Sequence, residues 1–239
     1  MEKEILNLPE AGQKVVDSYL NMSIANKAIA CPYYTNLKRE KAALKVFLGK
    51  GSAQEIINEV KFVSQKEDVD LVRFSEEKLY RFMVEHNLGI DCSGLAVHIL
   101  KAVHKEKNIN LFEKIKIVSF FKNPWRRLVS QLRPIENIGV RVLANDKNSF
   151  LLKSFNDVLP CDLIIRTNLR HVYLVTKTEK ENGIIKKIGF AHAPRPRQPD
   201  YFGPGVFQKT IILKESSLKE LEEKLEDQIV IRRLKSLEH

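Results

Sequence analysis

The 239-residue chain lacks the features that define several specialised classes of protein. It has three cysteines and no Cys-x-x-Cys pair, which argues against a disulfide scaffold and against a structural zinc site. No apolar run approaches the roughly 20 residues of a membrane-spanning helix. The sequence also contains no internal repeat. These absences predict a globular protein without a metal, a cofactor or a membrane span.

A secretion signal is missing as well. The first twenty residues are amphipathic and contain acidic residues, and they lack the basic, apolar and small-residue segments of a signal peptide. We therefore expect a cytoplasmic protein, or an extracytoplasmic one if a leader has been removed. The last three residues, 237–239, are typical of the remnant of a purification tag, and we assign them no role.

The net charge of +10 permits two interpretations. A basic surface can bind nucleic acid, an anionic surface or an acidic substrate. However, most of the lysines are scattered among glutamates, which is typical of a solvated protein surface. We therefore do not expect nucleic acid as a partner, and a basic binding protein is kept as an alternative.

The first part of the chain, residues 1–88, has the apolar spacing of helices. The segment 10–29 is one such helix, and Ser52 and Ser75 are typical N-caps of two others. Ser52 is followed three residues later by Glu55, which completes the pattern of a capping box.

The remaining residues, 89–236, begin with a further helix and then change to β-branched runs separated by turns. Asn182-Gly183 lies between two such runs and predicts a tight hairpin. The predicted strands are 137–143, 162–167, 171–178, 183–193, 206–213 and 228–234, and a short helix is predicted at 216–227. Helices followed by an antiparallel sheet predict an α+β fold, with the N-terminal helices packed on a central sheet.

The stretch Asp91-Cys92-Ser93-Gly94 opens an apolar helix and places a thiol in its first turn. Asp91 is a typical N-cap, and the unpaired N–H groups and the dipole of a helix start lower the pKa of a thiol. The same N–H groups can bind the oxyanion of an acyl-transfer intermediate. Cys92 is therefore a candidate nucleophile, and the alternative is a small buried cysteine on an amphipathic helix.

A nucleophilic thiol needs a base, and the base needs a group that orients it. His98 lies six residues after Cys92 on the same predicted helix and faces away from the thiol. His171 and His192 lie at the ends of the two strands that flank the predicted turn, so a hairpin would place them side by side. One imidazole would then face Cys92 while the other fixes its tautomer.

These segments together resemble the motifs of the NlpC-like cysteine peptidases, bacterial enzymes with a papain-like fold. The family pattern is an Asp-Cys-Ser-Gly run that opens a helix, a Gly-Asp-Leu-type strand, a strand that begins with His-Val, and a strand that ends in a third polar residue. The similar segments here are 91–94, 159–165, 170–176 and 190–193. The resemblance implies Cys92 as nucleophile, His171 as general base and His192 as the orienting residue of a Cys-His-His triad.

The resemblance also implies residues that bind the substrate. Tyr33 stands in a Pro-Tyr motif whose tyrosine lines the substrate cleft of the family, and Asp91 and Ser93 correspond to positions beside the amine of the substrate. We add Arg170, which directly precedes the expected base. In two respects the chain departs from the family: 59 residues separate the Pro-Tyr motif from the cysteine, and Cys161 occupies the usual glycine position.

Two other stretches have competing interpretations. Gly49-Lys50-Gly51 is similar to part of a phosphate-binding loop, but Leu44 stands where that motif requires its first glycine, so a helix start is predicted instead. The segment 120–134 combines aromatic residues with arginines. It suits a nucleic-acid surface, a lid that clamps a carboxylated peptide, or a loop anchored in the core.

Three hypotheses about function follow. The first is a cysteine peptidase or amidase that hydrolyses an amide through a thioester, with a peptidoglycan-type peptide or cell-wall fragment as the substrate that the resemblance implies. The second is an acyltransferase of the same fold, in which an amine or an alcohol captures the thioester. The third is a basic binding protein without catalytic activity, whose binding would depend strongly on salt.

Overall fold

The computed structural model describes residues 2–35, 44–117, 132–194 and 205–238. Within these residues the chain forms an antiparallel sheet of seven strands, a separate two-stranded hairpin and eight helices, which confirms the predicted α+β class. Residues 120–131 of the arginine-rich stretch lie outside the described part of the chain.

The helices are α1 (Glu10–Leu20), α2 (Ala53–Lys66), α3 (Glu76–Glu85), α4 (Cys92–Glu106), α5 (Leu111–Lys114), α6 (Pro134–Asn137), α7 (Val140–Leu143) and α8 (Leu218–Leu225). The strands are β1 (Lys3–Asn7), β2 (Met22–Ile24), β3 (Lys27–Ile29), β4 (Ser149–Leu151), β5 (Leu163–Arg166), β6 (Val172–Glu181), β7 (Ile184–His192), β8 (Phe207–Ile212) and β9 (Ile229–Leu234).

The main sheet has the order β4-β9-β5-β6-β7-β8. The long strand β6 pairs with β7 on one side, and on the other side it pairs first with β5 and then with β1. Because β1 belongs to the predicted N-terminal region, residues 1–88, and β6 to the predicted core region, residues 89–236, the two regions share one sheet and form one continuous domain.

Apolar side chains alternate along the strands and form a core on each face of the sheet. On β6, Val172 and Leu174 join the larger cluster with the helices α1 to α4, whereas Tyr173 and Val175 join the smaller cluster with α8. The larger cluster also receives Leu237, from the segment interpreted as a tag remnant. The helix that carries Cys92 is thus packed directly on the strand that follows His171.

The predicted helix starts are confirmed by their hydrogen bonds. The Ser52 and Glu55 side chains form the reciprocal capping box of α2. Ser75 accepts from the third N–H group of α3, and Asp91 accepts from the Gly94 N–H in the first turn of α4. The hairpin between β6 and β7 is also confirmed, and both residues of its turn have positive φ angles, 51° at Asn182 and 79° at Gly183.

The N-terminal region is less helical than its spacing predicts. The helix expected over 10–29 ends at Leu20, and the rest forms the hairpin β2–β3, whose turn residues Ala25 and Asn26 have positive φ angles. Met22 and Ile24 are both buried, so the spacing there is the two-residue period of a strand. Residues 3–7 also form a strand, because β6 offers them a free edge beyond the end of β5.

The strand predicted over 137–143 is wrong. The structure forms α6 and α7 there, with Gly139 before the first residue of α7. Val140 and Leu143 are buried and lie three residues apart, which suits one face of a helix better than one face of a strand. Packing of these residues against the core outweighs the strand preference of β-branched side chains.

Candidate active site

Cys92 is the first residue of α4 and is buried. Its helix begins tightly against the loop of Gly49, because the N–H of Asp91 donates to the Gly49 carbonyl at 3.0 Å. A Cβ atom at Gly94 would lie 2.5 Å from the same carbonyl oxygen, so only glycine allows this approach. The sequence therefore places the thiol where the first N–H groups of the helix have no partner within the helix.

The two candidate histidines lie side by side. His171 immediately precedes β6 and His192 ends β7, and the hairpin between the strands joins Nε2 of His171 to Nδ1 of His192 at 2.8 Å. Both imidazoles are buried. When Nε2 of His171 carries the proton, its Nδ1 is unprotonated and can accept another.

The thiol lies near the residue that follows His171. The backbone N–H of Val172 is close enough to the Cys92 sulfur to oppose the rise in the pKa of the thiol. Because Nε2 of His171 is engaged by His192, Nδ1 is the ring nitrogen of His171 that remains for another partner. The structure thus joins His171 to His192 and places Cys92 near Val172, the residue that follows His171.

Burial keeps all three groups neutral in the resting protein. It raises the pKa of the Cys92 thiol to about 11, and the neighbouring Asp91 carboxylate adds to this rise, whereas the Val172 N–H and Lys50 oppose it. Burial also lowers the pKa of His171 and of His192 well below the usual value of a histidine. For Cys92 this is the opposite of the lowered pKa that a helix start predicts, because the desolvation of the buried thiol outweighs the N–H groups of the first turn.

Aromatic rings hold His192 in place. Its ring centroid lies 4.3 Å from that of Phe207 and 4.5 Å from that of Tyr173. The Tyr173 hydroxyl donates to the Asp227 carboxylate at 3.1 Å, and Arg166 pairs with the same carboxylate at 2.6 Å. Sequence reasoning missed Tyr173, although the two-residue period of a strand places it on the same face as His171.

Asp91 and Ser93, the residues expected beside the amine of a substrate, hold an amine of the protein itself. The Lys50 ammonium lies 2.9 Å from Oδ1 of Asp91 and 2.6 Å from Oγ of Ser93. Sequence reasoning missed this lysine. The signal available for it was its pair of flanking glycines, which permit close approach of a backbone.

Tyr33 lies beside the nucleophile loop in spite of its distance along the sequence. Its backbone forms a parallel bridge with Ile90, and the N–H of Ile90 donates to the Pro32 carbonyl at 3.0 Å. A Cβ atom at Gly89 would lie 2.4 Å from that carbonyl oxygen, so this glycine is needed for the pairing. Arg170, by contrast, is exposed in the turn that leads to His171, where its N–H bonds the Asn168 side chain at 2.9 Å.

Cys161 stands where the resembled pattern has glycine, and its backbone adopts a conformation that favours glycine. Its φ angle is 76°, in the left-handed region that favours glycine. The side chain is buried, and burial raises the pKa of its thiol to about 12. The next residue, Asp162, is clamped by Arg233 through two hydrogen bonds of 2.7 Å. These contacts make Cys161 and Asp162 structural parts of the β5 start.

Within the described ranges, no group of three or more His, Cys, Asp or Glu side chains is arranged to hold a metal ion. A search of the same ranges found no helix with the length and hydrophobicity needed to cross a membrane. Comparison with protein-family models, curated proteins and solved structures gave no match to this chain.

Proposed function

We propose that the protein is a cysteine peptidase or amidase of papain-like fold. The observations that carry the proposal are the buried Cys92 thiol at a helix start, close to the backbone N–H of Val172, and the hydrogen-bonded imidazoles of His171 and His192. A nucleophile, a base and a group that orients the base are the three parts that amide hydrolysis through a thioester requires.

In the proposed reaction, the Cys92 sulfur attacks the carbonyl carbon of an amide while His171 accepts the thiol proton. The oxyanion of the tetrahedral intermediate is stabilised by N–H groups of the first turn of α4. The C–N bond then breaks, and His171 returns the proton to the leaving amine. Water attacks the resulting thioester with His171 as base, which releases the acid and restores the thiol.

The proposed substrate class is a peptidoglycan-type peptide, and it rests on the resemblance to the NlpC-like enzymes. Such peptides carry free carboxylates, for which Arg170 is a suitable partner because it is exposed next to His171. The Tyr33 segment beside the nucleophile loop is proposed as a second wall of the cleft.

The test compares the parent protein with Cys92→Ala on a panel of wall-derived peptides, and the products are followed by mass spectrometry. We expect Cys92→Ala to lower the cleavage rate by at least about 1,000-fold, as the loss of a triad nucleophile does. Cys161→Ala is the matched control, since it removes an equally buried thiol outside the triad. The control should keep most of the parent rate.

Three results would change the proposal. Equal cleavage by the parent and by Cys92→Ala would exclude Cys92 as the nucleophile. Products that contain an added amine or alcohol in place of water would identify an acyltransferase. A parent that cleaves none of the peptides, and whose Cys92 is not labelled by peptide electrophiles, would favour the basic binding protein.

A further inference from the structure

Lys50 is a buried ammonium that contacts the first turn of the nucleophile helix. Only 5% of the residue is exposed. Its Nζ atom donates to Asp91, to Ser93 and, at 3.2 Å, to the carbonyl oxygen of Ile138. The three N–H groups of an ammonium thus match three oxygen acceptors.

The loop that carries Lys50 is held in place by its backbone. Its carbonyl oxygen accepts from Nε2 of His98 at 3.0 Å, and the next carbonyl, that of Gly51, accepts from the Tyr19 hydroxyl at 2.8 Å. On the other side, the Gly49 carbonyl accepts from the Asp91 N–H. Because Gly49 has a φ angle of 70°, the backbone turns there and directs Lys50 inward.

This arrangement is costly for stability alone. An ordered lysine loses up to about 2 kcal/mol of side-chain entropy, and a buried ion pair often contributes no more than an apolar pair of the same size. The position of the pair suggests another role, since its two partners on α4 are Asp91 and Ser93, the residues on either side of Cys92.

We propose that Lys50 is a positioning residue for the nucleophile: its ammonium fixes Asp91 and Ser93 around Cys92 and compensates the Asp91 carboxylate. The inference rests on the proposed function of Cys92. Without the ammonium, the Asp91 carboxylate would stand uncompensated beside a forming thiolate on the next residue, and neighbouring like charges disfavour each other. Asp91 and Ser93 would also lose the side chain that links them to the Ile138 carbonyl, whereas the backbone bond from Asp91 to Gly49 would remain.

Two charged groups act on the thiol, Asp91 at the start of its own helix and Lys50 from the loop before α2. His171, the proposed base, directly precedes Val172, whose backbone N–H lies near the sulfur. Asp91 and Lys50 act on the thiol in opposite directions. A change at Lys50 should therefore be readable in the pH dependence of Cys92 reactivity.

The test measures the rate at which iodoacetamide alkylates Cys92 between pH 6 and 10, with peptide mapping to separate Cys92 from the other two cysteines. We expect Lys50→Ala to lower the rate at pH 7 about tenfold, which corresponds to a rise of about one unit in the apparent pKa. Lys45→Ala is the matched control, because Lys45 lies in the same segment but is partly exposed and pairs with Glu55. It should keep the parent profile.

Rescue by a small amine separates the charge from the packing of the side chain. In Lys50→Ala, n-propylammonium supplies the three carbons and the ammonium that the substitution removes, whereas 1-propanol supplies a neutral group of similar size. We expect the amine to restore the alkylation rate and the alcohol to leave it unchanged, at constant ionic strength. The amine should not alter the parent protein.

The inference is overturned if Lys50→Ala has the pH profile of the parent, or if the folded variant reacts slowly and n-propylammonium fails to restore it. If Lys50→Ala does not fold, circular dichroism is measured while the variant is titrated with each compound. Refolding with n-propylammonium but not with 1-propanol supports the inference, and the absence of refolding with the amine overturns it. Alkylation requires no substrate, so a failure of peptide cleavage would contradict the proposed function separately.

Discussion

The close approach of Gly94 to the Gly49 loop leads to a prediction about stability. In Gly94→Ala, the new Cβ atom would lie 2.5 Å from the Gly49 carbonyl oxygen, whereas carbon–oxygen contacts of this kind are about 3.3 Å or longer. The obstacle is a backbone atom, so rotation of a side chain cannot relieve the clash. Either α4 or the loop must move by about 0.8 Å.

Two effects of opposite sign determine the size of the change. Alanine is favoured over glycine in a helix by about 1 kcal/mol. Against this, overpacking costs about 1–3 kcal/mol, and disturbance of the hydrogen bond from Asp91 to Gly49 costs about 1 kcal/mol more. We therefore expect Gly94→Ala to lower the free energy of unfolding by about 1–3 kcal/mol, with each kcal/mol reducing Tm by about 2–4 °C.

Urea and thermal unfolding, followed by circular dichroism, measure this change. Gly139→Ala is the control, since no atom lies within 4 Å of its added Cβ and its φ angle of −107° is allowed for alanine. The control should change stability by no more than about 1 kcal/mol. A Gly94→Ala protein that is as stable as the parent, or more stable, would refute the reasoning, because helix propensity alone would then account for the result.

Three further predictions concern parts of the fold around the site. Burial lowers the pKa of His98 to about 4. In the unfolded chain the pKa of a histidine is about 6.5, so the buried neutral form contributes its full stability at pH values above 6.5. This contribution is lost as the pH falls toward 4. At pH 5 the loss is about 2 kcal/mol. His98→Gln keeps a donor for the Lys50 carbonyl but cannot titrate, so it should reduce the difference in urea stability between pH 7.5 and pH 5. An unchanged difference would contradict this prediction. Arg233→Met leaves Asp162, of which 1% is exposed, without its two charged hydrogen bonds. The variant should lower the free energy of unfolding in urea by about 3–5 kcal/mol. Adding Asp162→Asn to the same chain should restore part of this loss. Ser52→Ala breaks the capping box of α2 and should cost about 1 kcal/mol, and a thermal melt identical to that of the parent would argue against it.

Local signals in the sequence were sufficient for the parts of the fold that depend on neighbouring residues. A cap such as Ser75 acts on an N–H group three residues away, and the Asn182-Gly183 turn needs only two residues that tolerate positive φ angles. The segment 137–143 shows the limit of such signals. Its β-branched residues favour a strand, but Val140 and Leu143 pack against the core as one face of a helix.

In the candidate site, too, some residues could be selected from local signals in the sequence and others could not. Cys92, His171 and His192 could be selected from the sequence because few residue types act as nucleophile or base, and because a hairpin brings the ends of its strands together. Lys50 and Tyr173 could not be selected in this way. Lysine is common in this chain, and its contact with Asp91 joins residues 41 positions apart.

The sequence by itself determined the helix that starts at Asp91, the hairpin between β6 and β7, and the residue types that the proposed chemistry uses. Only the tertiary structure decided that Tyr33 lies beside Ile90, that β1 extends the sheet along β6, and that the ammonium of Lys50 fills the space between Asp91 and Ser93. The physical reason is the range of the interactions. Caps and turns act over a few bonds, whereas burial and ion pairing depend on which distant segments the complete core brings into contact.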